Sequence, residues 1–399
     1  MHNQLTTHLT DIYPSSNTLT SPVKVRQAQT KLPKLTVCCT FGDPLSPKTW
    51  SGTPAKICTI LQNRGVLDKT ISSATFANRI STKLLYTLSR LYYQGADEHY
   101  HGRMITKAKS NYVDRMLSSN QSDVLHFDID HLPLNKCGSD RRHYLYIDAT
   151  WDIVRKNLFR GAEGERLNND IESATKAVLA QMTHIFPIGE YLREHLIEQY
   201  GVDSAKVTAV GTGRGSLQPY YGEIDYENPT VLFGAKWGFD YKGGDIVVQG
   251  FQLAHQKNPK LKLVLVGQDS YQQQFGNLPG VTTYGFTSFE QLQEIFNSAA
   301  LFALPARLEP WGMAYLEAMS CRTPVIGLNR YALPEMTQNG KYGFLMAEVT
   351  PEAFAETLLK ACEDPNRLRQ MGTEGQKYCL ENFTWEKTVE TMLSVIENY

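Results

Sequence analysis

The 399-residue chain carries almost no net charge: 40 Lys+Arg against 41 Asp+Glu leave −1 at neutral pH. Nothing global therefore draws it to nucleic acid or to an anionic bilayer. It lacks any run of about 20 apolar residues, which excludes a membrane-spanning helix. No strongly basic amphipathic helix stands out either, so peripheral contact with a membrane stays open without support. There is no Cys-x-x-Cys pair, and the seven cysteines are an odd count; both argue for reduced thiols in a cytoplasmic protein. Cys38 and Cys39 lie in an apolar run and read as core. Residues 1–33 have no apolar h-region, so they are no secretory signal. Rich in Ser, Thr, Gln and Asn, they read as a flexible tail. Asp128, Asp130 and His131 lack a fourth convergent ligand, so no metal site is expected. No internal repeat is evident.

What is present is an alternation of strand and helix patterns in two halves, the mark of parallel doubly wound sheets. In the first half, Lys34 to Thr40 reads as a strand, followed by a turn-rich segment and a helix over Ala55 to Asn63. Asp123 to Phe127, Tyr144 to Asp148, Thr183 to Pro187 and Lys206 to Val210 read as further strands. Ser216 to Pro229 is polar and aperiodic, a connector. The second half restarts with strands at Val231 to Phe233, Lys262 to Val266, Leu301 to Leu304 and Pro324 to Gly327, each trailed by a helical pattern. In such sheets ligands bind outside the carboxyl ends of the strands.

The chemistry-bearing residues cluster at those ends. After the strand at Leu301, Pro305 to Pro310 forms a loop carrying Glu309, and a helix begins at Gly312 with Glu317 about a turn and a half inside. Free backbone N–H groups at that helix start suit phosphate or sugar oxygens. Lys236 and Lys242 lie six residues apart in a glycine-containing loop after Val231 to Phe233, placed for a diphosphate or merely solvated. Gly52, followed by Pro54, marks a strand-to-helix turn, and neighbouring Trp50 is suited to stacking on a sugar or to packing. His126 is read at the carboxyl edge of its strand, and Asp148 at the end of another, facing an acceptor hydroxyl or capping a helix. Gly211-Thr-Gly-Arg-Gly215 is glycine-rich but no dinucleotide fingerprint, because no suitable helix and distal acid follow.

Glu-Pro-Trp-Gly (309–312), Leu-Glu-Ala-Met (316–319) and Thr-Pro-Val-Ile (323–326) together resemble the signature of glycosyltransferase family 4, whose members have the GT-B fold: two Rossmann-like doubly wound domains facing across a cleft. The signature includes two glutamates with seven residues between them, as at Glu309 and Glu317. The resemblance spans about residues 35–395 and is sharpest over 231–345. It implies an acceptor-binding domain at 34–215, a linker at 216–229, a nucleotide-sugar domain at 230–380 and a C-terminal helix, 381–399, returning to the first domain. It implies retaining, metal-independent transfer of a sugar from a nucleotide-diphosphate sugar (UDP-sugar first) to an acceptor hydroxyl, with no further cofactor. Glu309, Lys242 and His126 would then stand at the reacting sugar and diphosphate. Lys236 and Arg214 would be further phosphate contacts, and the Gly52 loop would approach the donor or acceptor. Gly267, Tyr284 and Gly285 would seat the base, and Glu317 would accept from the ribose. Trp311, Gly312 and Met313 would donate backbone N–H groups, while Trp50 and Asp148 would face the acceptor. Two departures stand out: Arg322 where a small residue is usual, and no paired glycines between Leu328 and Glu335. A sugar-nucleotide epimerase on the same fold, or a noncatalytic binding subunit, are the alternatives.

Overall fold

The computed structural model describes residues 33–74, 76, 80–95, 99–118, 121–128, 141–158 and 164–399. The tail, Cys137, Asp130 and His131 lie outside them. In the first half, the elements are β1 (Leu35–Cys39), α1 (Thr53–Asn63), β2 (Leu67–Ser72), α2 (Ile80–Tyr92), α3 (Arg103–Leu117), β3 (Asp123–Phe127), β4 (His143–Ile147), α4 (Trp151–Leu158), α5 (Glu165–Gln181), β5 (His184–Pro187) and α6 (Glu190–Tyr200). The second half holds β6 (Thr230–Gly234), α7 (Gly244–Lys257), β7 (Lys262–Val266), α8 (Ser270–Phe275), β8 (Val281–Tyr284), α9 (Phe289–Ser298), β9 (Leu301–Ala303), α10 (Met313–Ser320), β10 (Val325–Leu328), α11 (Leu333–Met336) and β11 (Gly343–Met346). It closes with α12 (Pro351–Ala361), α13 (Pro365–Asn382) and α14 (Trp385–Ile396).

Two sheets result, ordered β2-β1-β3-β4-β5 and β11-β10-β9-β6-β7-β8. Every strand pair in both is parallel. Parallel strands are covered by helices on both faces, so they read as continuous apolar runs. Leu35, Val37, Cys38 and Cys39 of β1 and all of β9 are fully buried, each large aliphatic side chain contributing about 1.5–3 kcal/mol. Gly52 caps α1 in the left-handed region, and a proline occupies its first turn.

Two features differ from the sequence reading. Lys206 to Val210 is no strand: a short 3-10 turn (Ser204–Lys206) leads to a single bridge, Val207 to Ile185, at the sheet edge. β2, α2 and α3 occupy a stretch whose periodicity went unassigned. The final helix α14 packs on α1 of the first lobe, where Arg64 and Glu390 form an exposed ion pair 2.7 Å apart.

Candidate active site

The carboxyl ends of the two sheets open onto one cleft. Its main cavity, about 540 Å³, is lined from the first lobe by Trp50, Ser51, Thr53 and Asp148, and from the second by Lys236, Trp237, Lys242 and the 309–314 segment. A second cavity of about 330 Å³ adjoins it, lined by Val266, Gly267, Phe286, Thr287 and Phe289. Lys236, Ala314 and Glu317 line both. Cavities of a few hundred Å³ at this place in α/β folds are ordinary small-molecule sites.

The loop after β9 is the most heavily braced part of the cleft. Gly243 (φ 82°) lets the 238–243 turn come close enough that an added Cβ would lie 2.3 Å from the Pro305 carbonyl oxygen. Arg307 grips Asp245, at the start of α7, through two hydrogen bonds of 2.8 Å. Arg330 donates to the Ala306 carbonyl (3.1 Å) and to that of Arg307. Held this way, Glu309 receives the ammonium of Lys242 in a half-buried ion pair, and the rings of Tyr241 and Trp237 lie 5.3 and 5.8 Å from that nitrogen. Gly312 (φ 84°) caps α10 in a conformation disfavoured for other residues, and Met313 and Ala314 line the cavity at its amino end. Arg307, Asp245 and Arg330 escaped the sequence reading, although Arg330 stands in the very segment that lacks the paired glycines.

Glu317 sits between the two cavities, and its Oε1 accepts from the Ser216 amide at 2.9 Å. Burial raises its pKa. Gly215 packs directly against it: a Cβ there would fall 1.9 Å from Oε1 and displace the carboxylate. Lys236 is exposed at the same junction. Gly267 (φ 135°) closes the wall of the smaller cavity. Tyr284 and Gly285 stay behind that wall: Gly285 packs on the carboxylate of Asp269, which accepts from the Phe286 amide at 3.2 Å. Phe286 therefore takes the lining position expected of its two predecessors.

On the opposite side, Trp50 (φ 43°) and Ser51 (φ 55°) precede Gly52 (φ 81°), three successive left-handed residues. Left-handed non-glycine residues cost about 1 kcal/mol or more each and persist only where packing over-determines them. Trp50 donates to Asp148 Oδ2 at 3.2 Å and packs on Phe41, Phe127 and Tyr146. Burial pushes the Asp148 carboxyl up to about 6, against the opposing Trp50 bond.

Two residues fall elsewhere than expected. His126 is not at the cleft: it is the penultimate residue of β3, 1% exposed, with Nε2 3.0 Å from His143 Nδ1. Arg214 turns its guanidinium to the Leu217 carbonyl (2.8 Å) and does not line either cavity. Trp311 lines the main cavity, while its buried indole pins the lobes together, Nε1 donating to Thr212 Oγ1 at 2.6 Å. Glu335 does the same, accepting from the Glu190 amide at the start of α6 at 2.9 Å. Burial raises the Glu335 carboxyl to about 7.

Residues 224–378 match the family model described as glycosyl transferases group 1. Over 115 residues the chain is 38% identical to "Probable sucrose-phosphate synthase" of Thermosipho melanesiensis, covering 28% of this chain and 26% of that one. The chain spans between a quarter and a half of the length of the curated relatives it matches first. Among solved structures, sucrose-phosphate synthase from Thermosynechococcus elongatus superposes with a TM-score of 0.64 at 16% identity, over 90% of this chain and 97% of that one. Anabaena HepE, solved in complex with UDP and glucose, gives 0.63 at 14% identity, over 92% and 100%. The architecture is therefore GT-B, and the second lobe is similar to group 1 glycosyl transferase domains.

Proposed function

We propose that the protein is a retaining, metal-independent glycosyltransferase moving a sugar from a nucleotide-diphosphate sugar, UDP-sugar first, to an acceptor hydroxyl. The observation that carries this is the joined cavity, with a base-sized recess at one end, Lys236 and Lys242 at its junction and mouth, and the amino end of α10 beside Glu309. HepE, with UDP and glucose bound on the same fold, supports a nucleotide-sugar donor. The base would enter the recess beside Gly267 and Phe286, and the ribose would meet Glu317. The diphosphate would lie over Lys236, Lys242 and the Met313 and Ala314 amides, donors aimed where negative charge grows as the leaving group departs. Glu309 would accept from sugar hydroxyls, and its ion pair fixes the ammonium before the donor arrives. In transfer, the bond from the anomeric carbon to the phosphate oxygen breaks. The acceptor oxygen bonds to that carbon on the same face, and the acceptor proton passes to the released diphosphate. Asp148, held by Trp50 on the facing lobe, would orient the acceptor hydroxyl.

The test is incubation with UDP-, GDP- and ADP-sugars and a panel of hydroxyl acceptors, in buffer with and without EDTA. NMR would assign the anomeric configuration of the product. A glycoside of retained configuration, formed undiminished in EDTA, is expected. A donor sugar altered without acceptor, or tight donor binding with no transfer on any acceptor, would refute the reading.

A further inference from the structure

Among the described residues, no cation of the first lobe lines the main cavity. The charges on its wall are Asp148 from that lobe and Lys236, Lys242, Glu309 and Glu317 from the second. Both lysines are placed for the donor diphosphate, and Lys242 is already paired with Glu309. Burial is the main cause that raises the Asp148 carboxyl, and the charge of Glu309 is another, so the two carboxylates lie close enough to repel. The surrounding edge has the same sign. Asp43, Asp128 and Asp148 follow the carboxyl ends of β1, β3 and β4, three adjacent parallel strands. The loop between β1 and α1 sets one cation against them, Lys48, which is exposed and off the cavity wall. Helix starts offer little in compensation. Thr53 at the start of α1 donates its N–H to the Trp50 carbonyl, and Pro54 has none to give. The Glu190 amide at the start of α6 is taken by Glu335.

We infer that the acceptor is a polyhydroxylated ring carrying neither phosphate nor carboxylate. This rests on the glycosyltransferase reading and narrows its substrate class. An anionic group brought beside Asp148 and Glu309 meets like charge, which costs binding at a desolvated surface. Hydroxyls meet the opposite case: carboxylate oxygens accept from them, and Ser51 and Thr53 add hydroxyls to the same wall. The aromatic rings act in the same sense. Trp50 lines the first lobe's side, with half-exposed Phe41 at 5.0 Å, and Trp237, 67% exposed, lines the second. Ring faces carry negative charge density, so they attract the C–H faces of a neutral ring and disfavour anions. Cations on the donor side, with acids and rings on the acceptor side, also keep a phosphorylated molecule from settling in the wrong half of the cavity.

The experiment is a matched panel: glucose against its phosphate monoester and against glucuronate, and myo-inositol against its monophosphate. Each compound is offered to the full chain as acceptor with UDP-, GDP- and ADP-glucose, and is also titrated calorimetrically into the chain saturated with UDP, so that acceptor binding is read apart from transfer. The neutral member of each set should be preferred by about 100-fold in kcat/KM and in affinity. Asp148→Asn, which keeps the shape and removes the charge, should shrink that preference about tenfold. Were this variant to misfold, seen as a collapsed melting temperature, the titrations into wild type still decide. The inference is overturned if an anionic member binds or reacts as well as its neutral counterpart, if no neutral member binds, or if folded Asp148→Asn keeps the full preference. Transfer to the phosphorylated member alone would overturn it while leaving the glycosyltransferase reading intact. UDP bound with no transfer to any acceptor would sink that reading instead, and the titrations would still report the charge this half of the cavity accepts.

Discussion

Replacing Lys242 with Met keeps the side-chain stem and removes the ammonium that sits on Glu309. Two consequences follow from the geometry. The diphosphate loses a charge-assisted hydrogen bond, worth about 1.5–3 kcal/mol, or roughly 10- to 150-fold in kcat/KM. Glu309, only 17% exposed, is also left as an uncompensated anion beside the donor phosphates, which drives the loss toward the upper end. Glu309→Gln acts differently. It frees the ammonium for phosphate, so donor KM changes little while kcat falls through lost hold on the sugar. The informative measurement is the double variant. If the pair acts as a unit, Lys242→Met/Glu309→Gln binds UDP-glucose more tightly than Lys242→Met alone, with a coupling of about 0.5–3 kcal/mol. Calorimetric titration gives the affinities and steady-state kinetics the transition-state terms. Unchanged kcat/KM in Lys242→Met, or strict additivity in the cycle, would refute the assignment of both residues.

Asp148, with its carboxyl held up to about 6, should impose a fall in kcat/KM as pH drops through 6. Asp148→Asn should lose that limb at a lower plateau; a variant that keeps it removes Asp148 from acceptor binding. For Glu335 the folded-state pKa rises from 4.5 to about 7, so its stabilising contribution is full below the unfolded value and is lost as pH climbs through 7. The melting temperature of Glu335→Gln should accordingly gain on wild type between pH 5 and pH 8, and a constant difference in scanning fluorimetry contradicts this. Gly267→Ala places a Cβ 2.3 Å from the Ala235 carbonyl oxygen at a φ of 135°. About 1–3 kcal/mol of strain should lower both melting temperature and UDP affinity, and wild-type UDP binding would show that the wall is not part of the donor recess.

The strands of both sheets were legible where they are buried on both faces, because such strands are short, continuous apolar runs. Leu35 to Cys39 and Leu301 to Ala303 are cases in point. β2 was not, since Leu67-Asp-Lys-Thr-Ile-Ser is half-exposed and mixes charge into its pattern. α2 hid for a related reason: its leucines point outward, so the register that normally signals a core face signals the opposite here. In the cleft, Glu309, Glu317, Lys242 and Gly312 could be picked out because their chemistry lies close together in sequence. His126 was misplaced because strand alternation cannot tell the last residue from the one before it, and one position decides between the cleft and the sheet interior. Partnerships across long separations, such as Arg307 with Asp245 or Trp311 with Thr212 (99 residues apart), leave no local trace.

The seating of α14 on α1 has a bearing on how the molecule is made. During translation the first lobe emerges early, yet Trp385–Ile396 covers one flank of it, and Tyr399 reaches back to lie 3.0 Å from His184 Nδ1. That flank stays bare until the ribosome has finished the entire second lobe, so α1 must wait, incompletely clothed, for a segment more than 300 residues downstream of it. A stop codon just ahead of Trp385 would therefore injure the lobe synthesised first.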